Sequence, residues 1–589
     1  MITAPAIEPS EKASRTSPRN TPRINARPIT VAASRSTGAT SSPSSERIER
    51  APRPRLQSVA VGRRIAIIGA GHNALVAAAY LARAGHRPVV LERRHVLGGA
   101  SVTEELWPGF FVSRAAYVAG LLRPAVIREL GLADRGLRLL RRDPSSFTPV
   151  PDGPGLLLGA APQDTHREIA RFSRADAERY PEYERFLDRV ARALEPFLDA
   201  PPPDPARLRF RDLAPMAQLA RRAFAMRGDL ARATSLLLGP ARPALEAWFE
   251  SEPLRSTLAT DAVIGAWASP SSPGTGYVLF HHVMGETNGE RGVWAYVEGG
   301  MGRFSELVAA VARDAGAEIR PESPVASIDV HNGTARGVTL VDGTSLEADI
   351  VVSGADPHRT LIGLLGREHL PDPIARELDA LDFRSPSLKI NLALDRLPRF
   401  RDRTRGDAPG PEHSGTIHVG ASTLDELDAA FGAAERGGLP DRPLIELTLP
   451  SALDATIAPQ GRHVASMFVQ YAPFTLAVGS GGWEIERDRF ADRVCALVDE
   501  VAPGFSDSVL HREVLAPPDL ERVFGLTGGN IFHGAMSLDR LLFMRPMPGW
   551  ARYRTSVAGL YLCGAGTHPG GGVMGACGRN AAREILLDL

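Results

Sequence analysis

The chain has 589 residues, 43% of them hydrophobic, and its 68 basic and 68 acidic side chains balance to a formal charge of zero. This composition suits a globular protein with a large core and provides no basic field for a nucleic acid, which argues against nucleic acid as a partner. Three cysteines without a Cys-x-x-Cys pair argue equally against a disulfide reductase or a thiolate zinc site, and no metal site is assigned.

Residues 1–60 are rich in Ser, Thr, Pro and Arg and hold too little apolar surface to fold alone, so they read as a disordered tail. The same acid-poor, Arg-rich composition matches an organelle transit peptide. Arginine replaces lysine throughout, however, leaving only Lys12 and Lys389, and we read this as a coding bias. No apolar run reaches the ~18 residues that span a bilayer. The expectation is therefore a soluble, cytoplasmic protein, or one of the mitochondrial matrix if the chain is eukaryotic.

Residues 64–101, RIAIIGAGHNALVAAAYLARAGHRPVVLERRHVLGGAS, read as strand, glycine turn, helix, strand and acid in order. Gly69 allows the turn, and a bare backbone at Gly71 lets a pyrophosphate approach the amides that open the helix. Asn73 and Ala74 occupy its first turn and are counted with the cofactor-binding positions. Ala74 stands where a third glycine is usual, a variant in which one methyl group still fits between helix and strand. The second strand delivers Glu92, roughly 20 residues beyond the first glycine, where an acid accepts hydrogen bonds from ribose hydroxyls. Arg93 and the pair Gly98-Gly99 extend the unit in a way that resembles the two-dinucleotide-binding flavoproteins of the amine oxidase and phytoene desaturase type.

Beyond this unit, Pro/Gly punctuation at 144–158 marks a hairpin leaving the nucleotide fold. Residues 165–198 and 208–249 read as helices separated by a proline-rich break. The piece PMAQLARRAFAMRGDLARATSLLLG sets arginines beside Met, Leu and Phe. It reads first as a solvated helix with one core face, and its pattern is also compatible with a peripheral membrane contact. YVEGGMG returns to the nucleotide fold, with Glu298 weighed equally as a flavin contact and as a helix cap. Three short strands follow, with hairpin signals at Asn332-Gly333 and Asp342-Gly343. The final thirty residues form a strand, a glycine loop and a helix.

The stretches SPGTGYVLFHHVMGE, SLKINLALD, GLTGGNIFHGAMSLDRLLFMRP and CGAGTHPGGGVMGACGRN carry a family resemblance. From residue 64 to its end the chain resembles the pyridine nucleotide-disulfide oxidoreductase domain-containing protein 2 family, relatives of the bacterial phytoene desaturases and retinol saturases. The resemblance implies FAD as cofactor and an α/β fold that is α+β in its second domain. It implies a Rossmann-like FAD-binding domain, discontinuous in sequence (61–150, 286–360, 551–589), interleaved with a mixed sheet-and-helix substrate domain (151–285, 361–550).

Carried over residue by residue, Gly69 and Gly71 hold the pyrophosphate, Glu92 the adenosine ribose, and the backbone of Val325 the adenine. Gly564 and Gly566 approach the ribityl and phosphate region, and the amides of Val573 and Met574, at the start of the last helix, face the isoalloxazine ring. His568 is the polar side chain best placed to steer substrate and the one candidate catalytic residue, although a structural histidine bonded to a backbone carbonyl is the better reading. The same caution covers His281, His282 and His533. The activity implied is an FAD-dependent dehydrogenase or desaturase taking hydride from a hydrophobic, isoprenoid-like small molecule, in a monomer or homodimer. A flavin-binding regulatory protein and an FAD-dependent amine oxidase are the alternatives. The absence of an acid from the loop at 564–567 counts against the amine oxidase.

Overall fold

The computed structural model describes residues 62–589 apart from 152, 160, 205–207, 288 and 402. The tail expected at 1–60 lies outside the described residues. A five-stranded parallel sheet runs in the order Glu318–Arg320, Arg87–Leu91, Arg64–Ile68, Ile350–Ser353, Leu560–Leu562. The central strand Arg64–Ile68 is apolar along both faces because both are covered, as a parallel sheet requires. Ile65 and Ile67 pack on the helices His72–Arg83, Gly302–Asp314 and Ala576–Asp588. Ala66 and Ile68 face the opposite core, beneath the antiparallel sheet Val325–His331, Thr334–Leu340, Ser345–Glu347. The Asn332-Gly333 turn of that small sheet has φ of 50° and 72°, the left-handed pair that matches hairpin twist.

A seven-stranded sheet forms the second core, in the order Val509–Leu515, Leu388–Leu394, His463–Gln470, Leu444–Thr448, Thr416–Gly420, Ser146–Thr148, Leu156–Leu158. All its pairings are antiparallel except that between Thr416–Gly420 and Ser146–Thr148. Helix Trp483–Val501 covers one face of this sheet. Ser146–Thr148 thus falls in the seven-stranded sheet, a few residues before the boundary drawn at 150, because its partner strand and not the preceding chain fixes its place.

The helices between 162 and 283 form a separate layer, held at one junction by Asp176. This fully buried carboxylate accepts from the backbone of Glu250 and Ser251 at 2.8 and 2.9 Å. Helix Leu213–Ala225 departs from the sequence reading, for it buries none of its residues and leaves Leu213 and Phe224 exposed beside Phe210. No helix among the described residues is long and apolar enough to cross a membrane.

Candidate functional site

The cradle forms at the C-terminal end of the central parallel strand. Gly69 has φ 81°, and a Cβ placed on Gly69 or on Gly71 would meet no atom within 4 Å, so both face open space. Helix His72–Arg83 starts at Gly71 with no side-chain cap, which leaves its first amides directed at that space. Ala74 packs on Gly354, where an added Cβ would lie only 2.9 Å from the alanine methyl. The Asn73 side chain lies on the far side and accepts from Gly578 N at 3.3 Å, tying the first helix to the last. A dinucleotide pyrophosphate fits this arrangement of bare backbone and uncapped helix.

Glu92 is buried, and its carboxylate accepts from Ala70 N at 2.7 Å and from Arg94 N at 2.9 Å. Its own carbonyl accepts from Ser323 N at 2.7 Å, which draws the segment before Val325 alongside it. Gly98 donates to Ala70 O at 2.9 Å, and a Cβ on Gly99 would sit 3.1 Å from Gly71 Cα, so this pair buttresses the turn. Arg93 turns away. It donates to the carbonyls of Arg522 and Val523 at the C-terminal end of helix Pro517–Phe524, an electrostatically suitable place for a cation.

The C-terminal loop corrects several expectations. A Cβ on Gly564 would lie 2.4 Å from Gly354 O and one on Gly566 2.5 Å from the Pro357 ring, so neighbouring protein demands both glycines. The last helix begins at Ala576, not at Val573. Met574 is buried and spends its amide on Gly572 O at 3.0 Å, whereas Val573 borders open space. His568 is absent from the cavity lining. Its Nε2 donates to Phe197 O at 2.5 Å, and burial pulls its pKa down to about 4. It is the carbonyl-bonded histidine.

His281 is likewise bonded to Gly571 O, while His282, stacked on Trp294, and His533 reach the cavity. Glu298 does not cap helix Gly302–Asp314 and is not among the residues lining the cavity; it forms a partly exposed ion pair with Arg138 at 3.6 Å. Cys563 is fully buried and burial raises its thiol pKa, as a structural thiol requires.

A cavity of about 870 Å³ opens from the cradle. His72, Ala565, Gly572 and Val573 line its cofactor end, and Leu121, Ile264, Leu279, Ile531 and Phe532 are among its apolar walls. His72 is half-buried beside the Gly572 backbone, and its Nε2 has no partner among the described residues.

The sequence reading missed the polar groups of this cavity. Lys389 lies in the fully buried strand Leu388–Leu394, where its Nζ donates to Ser466 Oγ and stands 3.7 Å from the Tyr117 ring centroid. Tyr117 donates to Glu446 Oε2 at 2.7 Å. Burial pushes Lys389 well below and Tyr117 well above their ordinary pKa values. The usable signal was a solitary lysine within an apolar strand of a chain that elsewhere prefers arginine.

Sequence and fold comparisons agree with this geometry. Residues 75–586 match the profile of flavin containing amine oxidoreductases. The mouse pyridine nucleotide-disulfide oxidoreductase domain-containing protein 2 is 49% identical over 541 residues, covering 89% of this chain and 93% of its own. Hydroxyneurosporene desaturase of Cereibacter sphaeroides is 28% identical over 543 residues, covering 89% and 98%. An oxidoreductase from Methanosarcina mazei shares the fold at a TM-score of 0.54 and 16% identity, covering 89% of this chain and 100% of its own.

Proposed function

Because the chain belongs to the flavin containing amine oxidoreductase family, beside pyridine nucleotide-disulfide oxidoreductase domain-containing protein 2, and is an FAD-dependent oxidoreductase related to desaturases, we propose that it dehydrogenates a predominantly apolar substrate. The observation that carries this reading is one continuous cavity joining the glycine loop at Gly572 and Val573 to walls of Leu, Ile and Phe. The name of the hydroxyneurosporene desaturase, a relative across nearly the whole chain, supports a substrate of the isoprenoid kind.

Bound FAD supplies the two-electron acceptor. The chain's own residues bind and orient. The uncapped amides after Gly71 receive the pyrophosphate, with helix polarity favouring its charge. Glu92 is proposed to accept from ribose hydroxyls and the Val325 backbone to meet the adenine. Val573 closes the ring end, and His72 joins that loop to the cradle. The apolar walls exclude water from the reacting carbon.

The test is anaerobic mixing of the flavin-loaded protein with isoprenoid hydrocarbons, isoprenoid alcohols and primary amines. Bleaching of the flavin band by an isoprenoid is the expected result. Bleaching by amines alone, with peroxide released in air, would replace this reading with amine oxidation.

A further inference from the structure

One wall of the cavity does not suit a hydrocarbon. Lys389, Phe468, Glu446 and His418 are register neighbours on four adjacent strands of the seven-stranded sheet, so they form a single row, and all four line the cavity. Tyr117 lies over this row, its ring stacked on Phe468 and its hydroxyl bonded to Glu446. Asp261, from helix Glu252–Val263, and Arg142 line the same space. Burial pushes the Glu446 carboxyl up to about 7, with Asp261 nearby adding to the effect, and pushes Asp261 up to about 6 against the pull of Arg142.

Arg142 supplies a second, independent indication. It is only 5% exposed, its Nη1 donates to Thr416 Oγ1, and its Nε has no partner among the described residues. The Nδ1 of His418 is without a partner in the same sense. Buried polar atoms in folded proteins are almost always bonded, so unbonded ones grouped on one cavity wall indicate a ligand that bonds them. An all-hydrocarbon molecule would strip water from two carboxyl groups and a guanidinium and return no hydrogen bond.

Resting on the apolar-cavity reading above, we propose that the substrate is an amphipathic alcohol, an apolar chain whose terminal hydroxyl docks against Glu446 and Asp261. The hydroxyl donates to a carboxylate oxygen and accepts from the Arg142 Nε–H. The row fixes one end of the chain and thereby sets which carbon reaches the flavin end of the cavity. Glu446 and Asp261 act here as specificity-determining residues.

The experiment titrates FAD-loaded protein with geranylgeraniol and with the hydrocarbon in which hydrogen replaces the hydroxyl, reading flavin difference absorbance and thermal shift. The alcohol is expected to bind at least about tenfold more tightly than the hydrocarbon. In Glu446→Met that advantage falls towards unity while the hydrocarbon binds as well as before or better. Asp261→Asn provides a second, more conservative variant, in which the advantage shrinks.

Equal affinity of the two probes for the wild-type protein overturns the inference and leaves the apolar-cavity reading standing. An advantage that survives undiminished in both variants also overturns it. If neither probe shifts the flavin spectrum or the melting temperature, the apolar-cavity reading falls, and this inference with it.

Discussion

At the residue scale, Gly71 separates cofactor binding from folding. Gly71 faces open space, and a Cβ there meets no protein atom within 4 Å. Gly71→Asp is expected to fold but to purify without flavin, because a negative charge beside the pyrophosphate costs several kcal/mol, roughly a hundredfold or more in affinity. Circular dichroism should match that of the wild-type apoprotein; a yellow, flavin-saturated variant would displace the cradle.

Glu446 gives a pH signature. Its pKa in the folded protein is raised from 4.5 to about 7, chiefly by burial, so the folded state holds this proton more tightly than the unfolded chain. Its contribution to stability is therefore full below pH 4.5, declines as the pH rises towards 7, and is flat above. Glu446→Gln removes this slope and is expected to gain about 3 kcal/mol over wild type between pH 4.5 and pH 8. Urea denaturation at the two pH values measures the difference, and parallel curves for the two proteins would refute it.

At the scale of elements, the last helix is fitted to the first with no room between them. A Cβ on Gly578 would lie 1.9 Å from Asn73 O, and Arg579 next to it makes a two-pronged ion pair with Glu129 at 2.8 and 2.6 Å. Gly578→Val should push Ala576–Asp588 off the cradle, lowering stability by about 1–3 kcal/mol and weakening FAD retention together. Unchanged flavin content in a destabilised variant would separate the two effects.

The elements whose evidence is local were legible from the sequence. The first strand, turn and helix, the acid at Glu92 and the Asn332-Gly333 hairpin each depend on residues a few positions apart. The hydrogen bonds of His568 and Met574, to Phe197 O and Gly572 O, were not legible because they are set by loop geometry that no spacing rule encodes. The polar row was illegible for a related reason. Lys389, Glu446 and His418 are dozens of residues apart and meet only through strand register.

At the scale of the whole molecule, a charged relay runs from one sheet to the other. Arg94, whose amide bonds Glu92, pairs with Glu104 at 2.8 Å; Arg114 bridges Glu104 and Glu513 at 2.9 and 2.5 Å. Glu513 then accepts from Asn391, which accepts from Ser466, the partner of Lys389. Burial opposes ionisation of Glu104, but the hydrogen bonds and charges of Arg94 and Arg114 win and hold its pKa low. Arg114→Leu would leave two largely buried carboxylates short of a partner and is expected to cost about 3–5 kcal/mol. A urea midpoint within error of wild type would show that the relay is dispensable.

The order of strands in the parallel sheet carries a consequence for biogenesis. Its central strand, Arg64–Ile68, leaves the ribosome well before its neighbour Ile350–Ser353, and the edge Leu560–Leu562 with helix Ala576–Asp588 follows later still. Synthesis must therefore have passed residue 562 before this sheet is complete. Until then the nascent chain holds an unfinished sheet, and the glycine turn lacks one of its flanking strands.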